Sequence, residues 1–123
     1  MQNKNETIRI VPNIYSNDMT DCKKFYVEFL GLKLVMDMEW IYTFASEKNP
    51  LAQISVIKNE NIAPLDNSAV FISMEVSDVN NKYERAKQLG WDIVYDIRNE
   101  PWGVRRFFVK DPNGATINVL SHL

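Results

Sequence analysis

The sequence predicts an α+β fold built from two β-α-β-β-β units. Three observations carry that prediction. A faint internal repeat relates the two halves of the 123-residue chain. Each half has one stretch with helical apolar spacing, set among runs that alternate or are rich in β-branched residues. A polar stretch at 58–68, containing Pro64, reads as the linker between them. The expected modules span about 8–57 and 70–121 of a single domain covering 1–123.

The first half opens with a strand at 8–15, followed by a turn at Ser16, Asn17 and Asp18. A helical stretch follows from about Thr20 to Leu30 and stops at Gly31. Cys22, Phe25, Tyr26, Phe29 and Leu30 recur at i, i+3, i+4, i+7 and i+8, which is one apolar stripe. Three strand-like runs come next, at 32–37, 40–45 and 51–57. The second half repeats the order, with a strand at 70–76, a helix ending at Leu89 before Gly90, and strands at 91–97, 104–109 and 115–120. Asp18 and Asp78 suit helix N-caps, and Gly31 and Gly90 suit the left-handed residue after a helix. Asp111-Pro112-Asn113-Gly114 joins the last two strands as a tight turn, since Pro112 presets φ and Gly114 accepts a positive one.

Composition excludes several classes. Hydrophobic residues make up 46% of the chain, enough for a core, and the formal net charge of −2 comes without a basic cluster. Nucleic acid and anionic membranes are therefore not expected partners. No apolar run approaches the roughly 18 residues that span a bilayer. The polar start, 1–7, lacks the apolar stretch of a signal peptide, and the single cysteine has no internal disulfide partner, so a cytoplasmic location is expected. Phosphate-binding glycine loops, nucleophile elbows, Cys-x-x-Cys and His-Glu-x-x-His motifs are all missing.

The last hairpin, running from Pro101-Trp102-Gly103 through the turn to Leu120, closely resembles that of the vicinal oxygen chelate superfamily. That superfamily includes glyoxalase I, extradiol dioxygenases, fosfomycin-resistance enzymes and bleomycin-resistance proteins. Phe25-Tyr26-x-x-x-Leu30-Gly31-Leu32 strengthens the resemblance, which covers nearly the whole chain. It implies that each βαβββ module forms a curved half-barrel around a ligand cavity, in a domain that pairs as a homodimer.

Strand alternation sorts the faces, because residues i and i+2 share a side. Ile8, Ile10, Pro12 and Ile14 are expected on the helix side of the first strand, with Arg9, Val11, Asn13 and Tyr15 toward the cavity. Ala52, Ile54 and Val56 read as core, leaving Gln53, Ser55 and Ile57 opposite. Val70, Ile72, Met74 and Val76 read as core, leaving Phe71, Ser73 and Glu75. Ala115, Ile117 and Val119 read as core, leaving Thr116, Asn118 and Leu120. The family register puts Arg106 and Phe108 inward and Trp102 at the rim. Trp40 and Tyr42 are a further candidate aromatic wall.

Metal-dependent members of the family place histidines and glutamates on the first, fourth, fifth and eighth strands. Alignment to that pattern gives Val11 and Phe71 at the histidine positions, Gln53 or Ser55 on the fourth strand and Asn118 at the usual glutamate. Divalent ions need lone-pair donors such as imidazole nitrogen or carboxylate oxygen. A metal-free site with no cofactor is expected. His122, the only histidine, reads as a tail residue, and Cys22 as inert core.

The leading expectation is a metal-independent small-molecule binder of the bleomycin-resistance type, acting by sequestration, as in antibiotic resistance. Its ligand is expected to be aromatic or cationic. Asn13, Trp40, Tyr42, Phe71, Glu75, Trp102, Arg106, Phe108 and Asn118 are the candidate ligand-binding residues. Glu75 could instead pair with Arg9 or Arg106. A glyoxalase-like lyase, thiol transferase or dioxygenase with an atypical site, using Glu75 as base, is the alternative. A module serving only protein interaction is a third.

Overall fold

Each half of the chain has more apolar surface than its one helix can cover, and the two halves meet that need by sharing a core. The computed structural model describes residues 4–61 and 63–123. The element order is β1 (Asn13–Ser16), a helix (Lys24–Phe29), β2 (Lys33–Asp37), β3 (Ile41–Ala45) and β4 (Gln53–Lys58), then β5 (Phe71–Glu75), α1 (Val79–Leu89), β6 (Ile93–Asn99), β7 (Val104–Lys110) and β8 (Thr116–His122). The two curved four-stranded sheets have orders β1-β4-β3-β2 and β5-β8-β7-β6. β1 runs parallel to β4 and β5 parallel to β8, while the other neighbours are antiparallel. The expected α+β duplication is the observed fold.

Two local expectations need correction. The first helix is a π-helix over Lys24–Phe29, in which the Leu30 N–H reaches back five residues to the Phe25 carbonyl at 3.0 Å. Asp18 does not cap it, because its carboxylate accepts from the Thr20 N–H instead. The first strand is also shorter than expected. It begins at Asn13 because Pro12 has no N–H to donate to a ladder. Pro12 contributes only its carbonyl, which accepts from Ser55 N–H. Beyond it, Ile8 and Ile10 are 81% and 77% exposed rather than packed on the helix.

Elsewhere the local chemistry acts as expected. The Asp78 side chain caps α1 by accepting from Asn81 N–H, and Gly90 follows at φ +79°. Gly114 takes φ +90° in the last hairpin turn. The Asp111 carboxylate holds that turn by accepting from the backbone N–H of Asn113 and Ala115 at 2.8 and 2.9 Å.

The helix-facing sides of both sheets and the buried stripes of both helices form one continuous cluster. It includes Ile14, Phe25, Tyr26, Phe29, Phe44, Val56, Ala86, Phe107, Val109, Ile117 and Val119. Phe25 packs edge-on against Trp91 with ring centres 5.1 Å apart. The Tyr26 hydroxyl donates to Asp111 at 2.6 Å, 85 positions along the chain. Asn67, buried in the linker, donates to the carbonyls of Tyr15 and Asn113. Fusion through the helix sides leaves the opposite face of each sheet outside the core.

Candidate functional site

The open face of the second sheet carries a cluster of aromatic and charged side chains. β7 pairs with β8 so that Arg106 lies opposite Leu120 and Phe108 opposite Asn118. β8 pairs with β5 so that Asn118 lies opposite Ser73 and Thr116 opposite Phe71. One row therefore runs through Ser73, Asn118 and Phe108, with Phe71 in the next, and the rings of Phe71 and Phe108 meet edge to face at 5.0 Å. Phe108 also stacks on Tyr95 of β6, with centres 4.4 Å apart.

Arg106 sits among these rings. Its guanidinium carbon is 4.7 Å from the Phe108 centroid, 4.9 Å from Trp102 and 5.3 Å from Tyr95. These separations fall within the range of cation–π attraction. The Glu100 carboxylate, almost fully buried, holds the guanidinium edge at 2.9 and 3.2 Å. It also accepts from the Tyr95 hydroxyl at 3.0 Å and from Arg98 Nε at 3.1 Å. Desolvation alone would raise the Glu100 pKa. The Tyr95 hydrogen bond and the charges of Arg106 and Arg98 outweigh it, so the group titrates below its ordinary value.

Glu100, Tyr95 and Arg98 were not among the residues expected from sequence. β6 carries irregularities between Ile93 and Tyr95 and again between Tyr95 and Arg98. Simple alternation would put Tyr95 and Arg98 on opposite faces. The second irregularity brings Arg98 back over the Tyr95 ring, 4.2 Å from its centroid. Glu100 is placed by the hairpin, where its N–H donates to Val104 carbonyl at 2.7 Å. A hairpin register drawn through Pro101-Trp102-Gly103 would have signalled it.

The remaining candidates divide. Trp102 is 63% exposed and Phe71 52%. Asn118 is buried, its amide nitrogen donating to Ser73 Oγ at 2.9 Å, while its Oδ1 has no partner. Glu75 lies on this face but engages neither Arg9 nor Arg106. It meets His122 Nδ1 at 3.1 Å. His122 is thus a strand residue of β8 opposite Val104, rather than a loose tail.

Three candidates belong to the first half and stand apart from this cluster. Asn13 lies opposite Ser55 on the open face of the first sheet, and its amide donates to Val11 carbonyl. Trp40 is half-exposed in the β2–β3 turn. Tyr42 is on the helix side: its ring packs against Phe44 at 6.3 Å and lies under Lys23 Nζ. It therefore forms no wall with the others. At the family's fourth-strand position, Ser55 shares a buried hydrogen bond with Thr43 at 2.7 Å and Gln53 donates to Pro50 carbonyl.

Two surface hollows, of about 590 and 420 Å³, lie away from the cluster. One surrounds the Asp111–Gly114 turn and the other the stretch 7–10. Among the described residues no three His, Cys, Asp or Glu side chains gather to hold a metal ion, and no helix is long and apolar enough to cross a membrane.

The sequence model of the Glyoxalase/Bleomycin resistance protein/Dioxygenase superfamily matches residues 9–119. The chain belongs to this superfamily. A search of curated proteins finds no match. Among solved structures, a protein of unknown function from Agrobacterium tumefaciens is similar at TM-score 0.77 and 20% identity, covering 98% of both chains. TioX from Micromonospora sp. ML1 is similar at TM-score 0.75 and 19% identity over 95% of this chain and all of its own. A glyoxalase/bleomycin resistance protein/dioxygenase from Nocardioides matches at TM-score 0.73 and 18% identity, over 99% of this chain and 87% of its own. At these identities the likeness shows the fold.

Proposed function

We propose that this single-domain superfamily member is a cytoplasmic homodimer that binds a small aromatic molecule and holds it by sequestration, without metal. The observation that carries the reading is the open cluster of Phe71, Tyr95, Trp102, Arg106 and Phe108. Large aromatic side chains left half-exposed on a sheet face are the usual anchors of flat ligands. Arg106 is rigidly held by Glu100, so the wall it forms with Trp102 is organised before any ligand arrives. An open face cannot enclose a ligand alone, and a second copy related by a twofold axis supplies the other wall.

The donor chemistry at the family's metal positions supports a metal-free site. Val11 and Phe71 have no lone pair to offer a divalent ion, Ser55 is committed to Thr43, and Asn118 is a neutral amide. The residues present do not fit the metal that related enzymes use.

One observation favours a second reading. His122 Nδ1 meets Glu75 on the same face, and the exposed imidazole keeps its Nε2 as a potential general base. That arrangement would suit the lyase or transferase chemistry of the superfamily.

The test combines sedimentation equilibrium with titration of a panel of flat aromatic compounds followed by tryptophan fluorescence. The reading expects a dimer of twice the 14.3 kDa chain mass and saturable binding with the compound recovered unchanged. A monomer that binds none of the panel refutes it. Turnover that His122→Gln abolishes, with binding retained, selects the enzymatic reading.

A further inference from the structure

The charges around the aromatic cluster select among aromatic ligands. Two guanidinium groups, Arg98 and Arg106, meet there, against one carboxylate, Glu100. Glu100 occupies Nε and Nη2 of Arg106 and Nε of Arg98. A guanidinium has five N–H donors. Nη1 of Arg106 and both terminal nitrogens of Arg98 find no partner among the described residues, and the Arg98 side chain is 61% exposed. The other carboxylate of this face, Glu75, is engaged by His122. Lys110, at the far end of β7, donates to the Gly114 carbonyl.

Three of the four rings of this face already hold one of the protein's own cations, Phe71 being the exception. Arg106 lies over Trp102, Phe108 and Tyr95, and Arg98 lies over Tyr95. A further cation placed there would meet like charge at close range. An anion would instead find unpaired guanidinium donors beside an exposed indole, the arrangement that forms charge-assisted hydrogen bonds.

We propose that this face takes a planar aromatic anion, an arene bearing a carboxylate or phenolate, with its ring on Trp102 and its charge against Arg98 and the outer edge of Arg106. The proposal rests on the small-molecule reading above and narrows it to one ligand class.

The experiment compares three probes with the same ring, 2-naphthoate, 2-naphthalenemethanol and 2-naphthylmethylammonium, by calorimetric titration of the full chain at pH 7.5. Naphthoate is expected to bind at least about tenfold tighter than the other two, from charge-assisted bonds to partly exposed guanidinium groups. Raised salt should narrow that gap. Arg98→Gln should remove most of the preference, and Arg98→Lys should keep part of it. Trp102→Ala should weaken all three probes. Circular dichroism checks that each variant is folded. Equal or tighter binding of the ammonium probe overturns the anion proposal while leaving the small-molecule reading standing. A charge preference that survives Arg98→Gln at full size also overturns it. Failure of all three probes to bind removes both readings.

Discussion

Replacing Tyr26 with phenylalanine tests whether the two modules are locked together through polar contacts as well as the shared core. The Tyr26 hydroxyl is fully buried and donates to Asp111 Oδ2 at 2.6 Å, joining the first helix to the last hairpin. Hydrogen bonds to charged groups contribute about 1.5–3 kcal/mol. Asp111 keeps three other donors, the N–H groups of Asn113 and Ala115 and the Asn113 side-chain amide. The carboxylate is not stripped bare, so the lower end applies, at about 1.5–2 kcal/mol. With a urea slope of about 2 kcal/mol per molar, the midpoint should fall by roughly 0.75–1 M at constant slope. A double-mutant cycle with Asp111→Asn should return coupling of about 1 kcal/mol or more. The phenol's own titration gives a second check. Burial, then the Asp111 charge, holds Tyr26 well above its ordinary pKa of 10.0. A raised folded-state pKa means that this contribution is fully present below pH 10 and is lost as pH rises beyond it. Tyr26→Phe should therefore lose less stability above pH 10 than wild type does. A midpoint change under 0.2 M, or no coupling in the cycle, would refute this account of how the modules are joined.

Trp102→Ala should weaken an aromatic ligand roughly thirtyfold, the effect of losing an anchor worth about 2 kcal/mol, with the circular dichroism spectrum unchanged. Unaltered affinity would return Trp102 to a packing role. Elemental analysis of dialysed protein should find no stoichiometric zinc, iron, nickel or manganese, and about one ion per chain would contradict the donor argument. Burial pushes the Cys22 thiol up to about 11, so a disulfide reagent at pH 8 should label it only in denaturant, and rapid labelling of native protein would place it outside the core. Glu100 titrates below its ordinary 4.5, so the cluster's stabilisation is present above that pH and lost as pH falls below it. Tryptophan fluorescence should change in that acid range, and Glu100→Gln should abolish the transition.

The helix stripe was legible because its burial does not depend on the helix type. Residues 25, 26, 29 and 30 fall on one side in an α-helix and remain buried in the π-helix. The turn at Asp111–Gly114 was legible because its residue types carry their own geometry. Ile8 and Ile10 misled because alternation describes a strand only where a ladder exists, and Pro12 ends the ladder. Tyr42 misled because an aromatic side chain suits either face, and only the contact with Phe44 decides. Arg98 and Tyr95 were hidden by strand irregularities, which leave no periodic signal. Glu100 was hidden by its burial, since a carboxylate is rarely buried unless paired and its partners come from β6 and β7.

The duplicated topology and the unequal open faces have one physical origin. The helix sides of both sheets must interlock in a single core, so volume and apolarity constrain them alike. The open faces carry no such constraint and are free to diverge. That of the first sheet holds the buried Thr43–Ser55 pair beside Asn13, with no guanidinium or carboxylate in its paired rows. That of the second gathers four aromatic rings, Phe71, Tyr95, Trp102 and Phe108, three of them around the Arg106 guanidinium, with Arg98 also over Tyr95. Recognition is therefore expected to be divided unequally. Substitutions on the second face, such as Trp102→Ala, should act on binding with little effect on stability. A Thr43→Val change on the first should act on stability instead, because it leaves the buried Ser55 hydroxyl unpartnered, at about 1–3 kcal/mol. If Thr43→Val abolished ligand binding in a stable protein while Trp102→Ala did not, the division of labour between the two sheets would be reversed.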